Sequence, residues 1–202
     1  MPRAALALCV LWFVSLFLFR AALQRRRTGS TGIKGFHGRP GSLPWIAGVA
    51  ASLGLVLAPL APLSALLHWP SAALLFVSPP LHVSGSVLAL LGIAGALTAQ
   101  VSMGDSWRVG VDEAEQTQLV TNGMFAWVRN PIFSFIAGTL VGLVLMVPNL
   151  LALLAAALTI LGIEIQVRAV EEPYLMHTHG ATYASYAENV GRFVPAVGRL
   201  RG

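Results

Sequence analysis

Five apolar stretches alternate with polar ones along the chain. The apolar stretches cover residues 4–23, 43–67, 83–103, 131–147 and 150–170. The first, AALALCVLWFVSLFLFRAAL, is long enough to cross a bilayer as a helix, which takes about 20 apolar residues. A cleavable signal peptide is the rival reading of that run. Against it, the basic residues follow the run rather than precede it, and no small-residue cleavage site stands before Arg25. Pro59 and Pro62 fall inside the second span, so its far end is expected to be kinked or irregular. Ser and Gly along 83–103 suit close helix packing. Pro148-Asn149 leaves room only for a tight turn, which folds the last two spans into an antiparallel hairpin. The pattern predicts an all-α integral membrane protein of about five transmembrane helices with a C-terminal helical hairpin. It forms one membrane domain, with residues 1–82 carrying the first spans and a basic loop and residues 83–202 forming the C-terminal core.

The polar segments orient these spans. Residues 24–42 hold Arg25, Arg26, Arg27, Lys34 and Arg39 and no acid. Such a loop stays on the cytoplasmic side, where it also suits anionic lipid headgroups. Residues 68–82 carry His68, Trp69, Pro79, Pro80 and His82 but no Lys or Arg, as expected of an outside loop. Counting onward puts 104–130 and 171–202 inside and the N-terminus outside. Of the basic residues only Arg3 then lies outside. All eight acids, which begin with Asp105, Asp112, Glu113 and Glu115, lie inside or at the end of the fifth span. The expected location is an inner or plasma membrane of bacterial type.

Composition agrees and excludes some classes. Only 10% of the 202 residues are charged and the mean hydropathy is +0.74, whereas soluble domains carry about 25% charged residues. The net charge of +5 is not gathered on a polar face with interleaved aromatics, so a nucleic-acid partner is not expected. Cys9 stands alone in an apolar run, which leaves no disulfide framework and no Cys-based metal site. His37, His68, His82, His177 and His179 are scattered, and 177 and 179 do not share a helix face. No metal is called for.

Chemistry concentrates in three polar segments. One leaves span three through Gln100, Asp105, Trp107, Arg108 and Gly110. One enters span four through Val128-Arg129-Asn130-Pro131. One begins inside span five with Glu164, Arg168, Glu171 and Glu172 and runs on to Gly180, Tyr183, Tyr186, Arg192 and Pro195. Glu164, Arg168, Glu171 and Glu172 share one helix stripe, which by itself reads as a salt-bridged helix end. A helix from 148 to 175 is about 42 Å long, against a core of about 30 Å, so its end stands clear of the membrane. Pro131 starts a helix. Asn130 is placed to cap it and to aim backbone N–H groups at an anion. Arg129 alone reads equally as an interfacial arginine that reaches for the headgroups.

The ordered set Gly123-(x)4-Val128-Arg129-Asn130-Pro131, Glu171-Glu172-(x)2-Leu175, Gly180-(x)2-Tyr183-(x)2-Tyr186 and Arg192-Phe193-x-Pro195 resembles the isoprenylcysteine carboxyl methyltransferase and phospholipid methyltransferase family, in a bacterial-type member. The resemblance covers about residues 100–195. It implies an integral membrane methyltransferase that uses S-adenosyl-L-methionine, with cytoplasmic cofactor-binding loops and a hydrophobic, isoprenoid or lipid-like acceptor from the bilayer. On that reading Arg129, Glu172, Arg168 and Arg108 carry the reaction. Val128, Asn130, Pro131, Glu171, Tyr183, Tyr186 and Arg192 hold the cofactor. A carboxylate, Glu171 or Glu172, suits its amino group or ribose hydroxyls, and Arg129 or Arg192 its carboxylate. Tyr183 and Tyr186 cover the adenine or close the site from water. Glu171 and Glu172 point about 100° apart on a helix, so one is expected to face the cofactor and the other Arg168 or Arg192. Arg108 and Arg168 suit the orientation of an anionic acceptor. The family usually has His where this chain has Asn130, and an amide cannot take a proton.

Two other readings stay open on sequence alone. One is an NADPH-dependent membrane reductase of the sterol-reductase type, although a basic set for the 2′-phosphate is missing. The other is a non-catalytic small membrane protein, although the spans hold almost no polar residue at mid-depth. The acceptor, the kind of atom methylated and the oligomeric state are not fixed by the pattern, and the Gly- and Ala-rich faces of spans two and three suit a dimer.

Overall fold

The computed structural model of the chain describes residues 1–33, 38–69, 72–108 and 118–200. Lys34, His37, Gly110, Asp112, Glu113 and Glu115 lie outside them. Among the described residues five helices carry the fold: α1 Pro2–Thr28, α2 Leu43–Leu66, α3 Pro79–Ser102, α4 Pro131–Met146 and α5 Leu150–Asn189. Among the described residues there is no strand beyond isolated bridges. α1, α2, α3 and α5 are long and apolar enough to cross a membrane. α4 has 16 residues, about 24 Å of helix, and so falls short of a full crossing on length alone. Large apolar side chains such as Val56, Leu91 and Leu161 point outward. The protein is an all-helical integral membrane protein.

The helices start where the local chemistry directs. The Ser42 hydroxyl accepts from the Trp45 N–H at the head of α2, 3.5 Å. At the hairpin, Asn149 is fully buried. Its side-chain oxygen accepts from the Ala152 N–H, 2.9 Å, while its amide donates to the Ala61 carbonyl of α2, 3.0 Å. One residue thus starts α5 and ties the turn to the bundle. α2 runs on through Pro59 and Pro62 to Leu66, so the expected irregular end is a continued helix. Pro62 lacks the N–H that would bond the Ala58 carbonyl, and the Cys9 thiol of α1 points at that oxygen instead, 3.8 Å.

Small residues set the packing. A Cβ on Gly92 would lie 2.3 Å from the Thr139 hydroxyl oxygen, so α3 and α4 approach almost backbone to backbone. Gly54 of α2 meets Thr159 of α5 in the same way. These faces, expected to suit a dimer, are used within one chain.

The antiparallel pairs α3–α4 and α2–α5 bring three chain segments to one end of the bundle: the end of α1, the segment after α3 and the end of α5. α5 departs from regular geometry at two places there. Val167–Glu171 is π-helical, a local widening often found at functional sites. At Gly180, φ 50° and ψ −127° bend the chain, a conformation open to glycine. The post expected beyond the membrane therefore turns back on itself, which carries Tyr183 and Tyr186 over the end of the bundle.

Candidate active site

The turn at Gly180 and the extended tail after Asn189 fold the C-terminus against the start of α4. Val128 and Gly191 form a parallel bridge, and the Arg129 N–H donates to the Gly191 carbonyl, 2.8 Å. Arg129 and Arg192 thereby converge on Glu172. The Arg129 guanidinium donates through Nη2 to Glu172 Oε1, 2.7 Å. Arg192 donates through Nε to Oε1, 2.7 Å, and through Nη2 to Oε2, 2.9 Å, a forked contact. All three residues are buried, at 6–8% exposure.

Arg129 does more than pair. Its Nη1 donates to the Ala187 carbonyl, 2.9 Å, and the Val190 carbonyl, 2.5 Å, and its Nη2 to the Gly198 carbonyl, 3.0 Å. One guanidinium thus gathers the last helical turn, the tail and α5. Burial raises the Glu172 carboxyl, but hydrogen bonds from Arg192 and Arg129 outweigh it and hold the group below the usual carboxylate range. The same bonds push the Arg192 guanidinium up.

The neighbouring Glu171 is in a different state. Among the described residues it accepts no hydrogen bond, and desolvation pushes it up to about 7, with Arg108 opposing the rise and Glu172 adding to it. Of the two adjacent carboxylates, Glu172 is the one that meets Arg192, as one of the pair was expected to. Arg108 lies over the Tyr174 ring, 5.2 Å from its centre, and its Nη1 is buried without a hydrogen-bond partner among the described residues.

The other expected residues are placed as follows. Asn130 occupies the cap position of α4 but makes no side-chain cap. Its N–H and its side-chain amide both donate to the Arg192 carbonyl, 3.0 and 3.2 Å. Asn130 therefore fastens the tail instead of capping the helix. Pro131 is the first residue of α4 and fully buried. Tyr183 is buried beside Tyr186, ring centres 6.2 Å apart and edge to face. The Tyr186 hydroxyl donates to the Phe125 carbonyl, 2.5 Å. Burial pushes the Tyr183 hydroxyl up to about 12 and raises that of Tyr186. Arg168 pairs with Glu164 one helical turn away, largely exposed, apart from the Arg129–Glu172–Arg192 cluster.

Sequence reasoning missed a second buried cluster at this end. Arg20 of α1 is fully buried. It donates to Gln24 Oε1, 2.9 Å, and to the Gly104 and Gln100 carbonyls, 2.6 and 3.4 Å. Its guanidinium lies 4.6 Å from the centre of the Trp107 ring. The available signal was a charged residue within the first apolar run, with Gln24 one turn later. The carbonyls of Ala187, Val190 and Gly198 left no signal, since any residue supplies one.

The chain matches the family model described as phospholipid methyltransferase over residues 80–182. No curated protein matches it in sequence. Among solved structures it is similar to the eukaryotic intramembrane Ras methyltransferase ICMT, an isoprenylcysteine carboxyl methyltransferase, with a TM-score of 0.60 at 22% identity. The match covers 96% of this chain and 66% of that protein, so the chain spans a little under two thirds of its length.

Proposed function

The chain belongs to the phospholipid methyltransferase family, and on that premise we propose that it transfers a methyl group from S-adenosyl-L-methionine to a hydrophobic, lipid-like acceptor held in the bilayer. The observation that carries this reading is the convergence of three separate segments on one end of the bundle. There Arg129, Glu172 and Arg192 lock together, while Arg108 Nη1 is buried without a hydrogen-bond partner among the described residues.

The donor set suits such a cofactor. Glu171 is the carboxylate left to accept from the cofactor's amino group or ribose hydroxyls. The Tyr183–Tyr186 pair closes the site from water. Val128, Asn130 and Pro131 form its floor through the backbone. The bound cofactor supplies an electrophilic methyl group on a sulfonium sulfur. This chain's residues position, exclude water and manage charge, which is where the acceleration of an in-line displacement comes from.

Arg129 and Glu172 act by positioning. Both Nη atoms of Arg129 and both carboxylate oxygens of Glu172 are occupied by each other, by Arg192 and by the tail, so they fix the wall of the site. Arg108, with a free buried N–H, orients an anionic acceptor. Asn130 cannot take a proton, whereas Glu171, pushed up to about 7, is able to take one if the acceptor is an amine. We place the basic loop and the site on the cytoplasmic side, so that the polar cofactor enters from the cytoplasm and the acceptor sideways from the lipid.

Ultraviolet cross-linking of radiolabelled S-adenosylmethionine to the purified protein, followed by peptide mapping, tests the location. Label is expected in peptides that include residues 118–131 or 171–200. Label confined to residues 1–82 would refute this placement.

A further inference from the structure

We propose that Arg20 is a positioning residue: from the first helix it caps the end of α3 and sets the turn that aims Arg108 at Tyr174 and Glu171. The inference rests on the reading above in that Arg108 serves the acceptor. Arg20 lies in the N-terminal helix, outside the segment matched by the family model.

The physical problem is the cost of a guanidinium in that place. Arg20 has no exposed surface, and no carboxylate pairs with it among the described residues. A cation at that depth is costly unless its donors are met. Here Nη1 and Nη2 are met by dipoles and the guanidinium face by an indole, while Nε has no hydrogen-bond partner among the described residues. Nη2 reaches the Gln100 and Gly104 carbonyls, which belong to the last turn of α3 and the 3₁₀ turn Gly104–Ser106 that follows. Helix C-termini leave carbonyls without partners and carry partial negative charge, so a cation supplied from another helix is a cap. Gln24 extends the same grip: it accepts from Arg20 and donates to the Asp105 carbonyl, 2.8 Å. Gln100 returns the contact by donating to the Leu16 carbonyl of α1, 3.2 Å.

The grip ends on Trp107, which is 2% exposed. Its ring is held between the Arg20 guanidinium and Gly32. The next residue is Arg108. With Trp107 held there, the Arg108 guanidinium lies over the Tyr174 ring, 5.2 Å from its centre. Contact therefore runs from Arg20 through Trp107 and Arg108 to the helix that bears Glu171 and Glu172. An apolar residue of similar size would fill the volume, but it would not hold two carbonyls and an indole together.

Arg20→Lys separates positioning from bulk stability, because an ammonium keeps the charge but lacks the planar fork. The experiment uses the full chain in detergent, with trypsin cleavage after Arg108 read by mass spectrometry. In the variant, cleavage after Arg108 is expected to accelerate by about tenfold, since proteolysis follows the open population. Cleavage after Arg25, Arg26 and Arg27 should stay unchanged. Transfer of label from S-adenosylmethionine into the lipid extract of the host membranes is expected to fall in kcat by about tenfold or more, with KM for S-adenosylmethionine within about twofold. Equal cleavage after Arg108 in the two proteins overturns the proposal. So does full transfer by the variant, or a KM for S-adenosylmethionine that rises in step with the loss. If Arg20→Lys does not fold, Gln24→Leu, which removes one of the Arg20 acceptors, must show the same Arg108-specific cleavage in weaker form; no change there also overturns it. If the wild-type protein transfers no methyl group, the functional reading fails, and the cleavage comparison still decides the role of Arg20.

Discussion

Arg129 and Arg20 are both buried guanidinium groups at the same end of the helices, and their surroundings differ in kind. Arg129 meets a carboxylate, Glu172, shared with Arg192. Arg20 meets two carbonyls, an amide oxygen and the face of Trp107. The first arrangement depends on one side chain: remove Glu172 and two buried cations face each other with only carbonyls to share. The second is spread over the backbone, which no substitution removes. The proposed site thus has one wall set by an ion cluster and another set by dipoles.

The largest effect expected from this contrast is that of Glu172→Gln. Breaking a buried ion pair from one side costs about 3–5 kcal/mol, so the variant should lose that much in denaturant or thermal unfolding and lose methyl transfer with it. Gln24→Leu, the matching change at Arg20, removes one hydrogen bond to a charged group and should cost about 1.5–3 kcal/mol. Equal losses in the two variants would break the comparison.

A second prediction sharpens the difference between Glu171 and Glu172. Glu171 has a folded pKa raised to about 7 by burial. Its contribution is therefore present at acid pH and is lost as pH rises toward and through 7. Glu172 has a depressed pKa, so its contribution is present at neutral pH and is lost only as pH falls below the ordinary carboxylate range. Melting temperature should fall between about pH 4.5 and 7. Glu171→Gln should flatten that fall and leave the acid limb. A Glu171→Gln profile parallel to that of the wild type would place the titration elsewhere.

The smallest effect belongs to Arg168. Its pair with Glu164 is exposed, and such pairs contribute about 0–1 kcal/mol. Arg168→Ala should unfold within that range of wild type and keep methyl transfer. A large loss of transfer would return Arg168 to the acceptor site.

How much of this was legible in the sequence follows from which interactions leave a mark on residue type. Apolar run lengths mark spans, and five helices are found where five runs were read. The shortness of α4 was already present in the run 131–147, which is barely longer than the 16-residue helix it forms. That one of the two adjacent glutamates would meet Arg168 or Arg192 was readable from their spacing on the helix; that it is Glu172, and that Arg129 joins the pair, was not. The roles of Ala187, Val190 and Gly198 were not, because their contribution is a carbonyl common to every residue. Asn130 shows a third case. Its position before Pro131 signalled a cap, yet the tail offered its amide a better partner in the Arg192 carbonyl. Arg20 was hidden by its setting: at the end of an apolar run an arginine looks like the edge of a span, and only the packing of α1 on the turn after α3 makes it a cap.

The central claim is that the cluster at the end of α5 belongs to an S-adenosylmethionine site. Thermal unfolding of the detergent-purified protein with S-adenosylhomocysteine or NADPH tests it most directly. A ligand at a hundred times its Kd adds about 2.7 kcal/mol to the folded state, which raises the melting temperature of a chain this size by roughly 5–10 °C. The account predicts that rise with S-adenosylhomocysteine and none with NADPH; protection by NADPH and not by S-adenosylhomocysteine would contradict it.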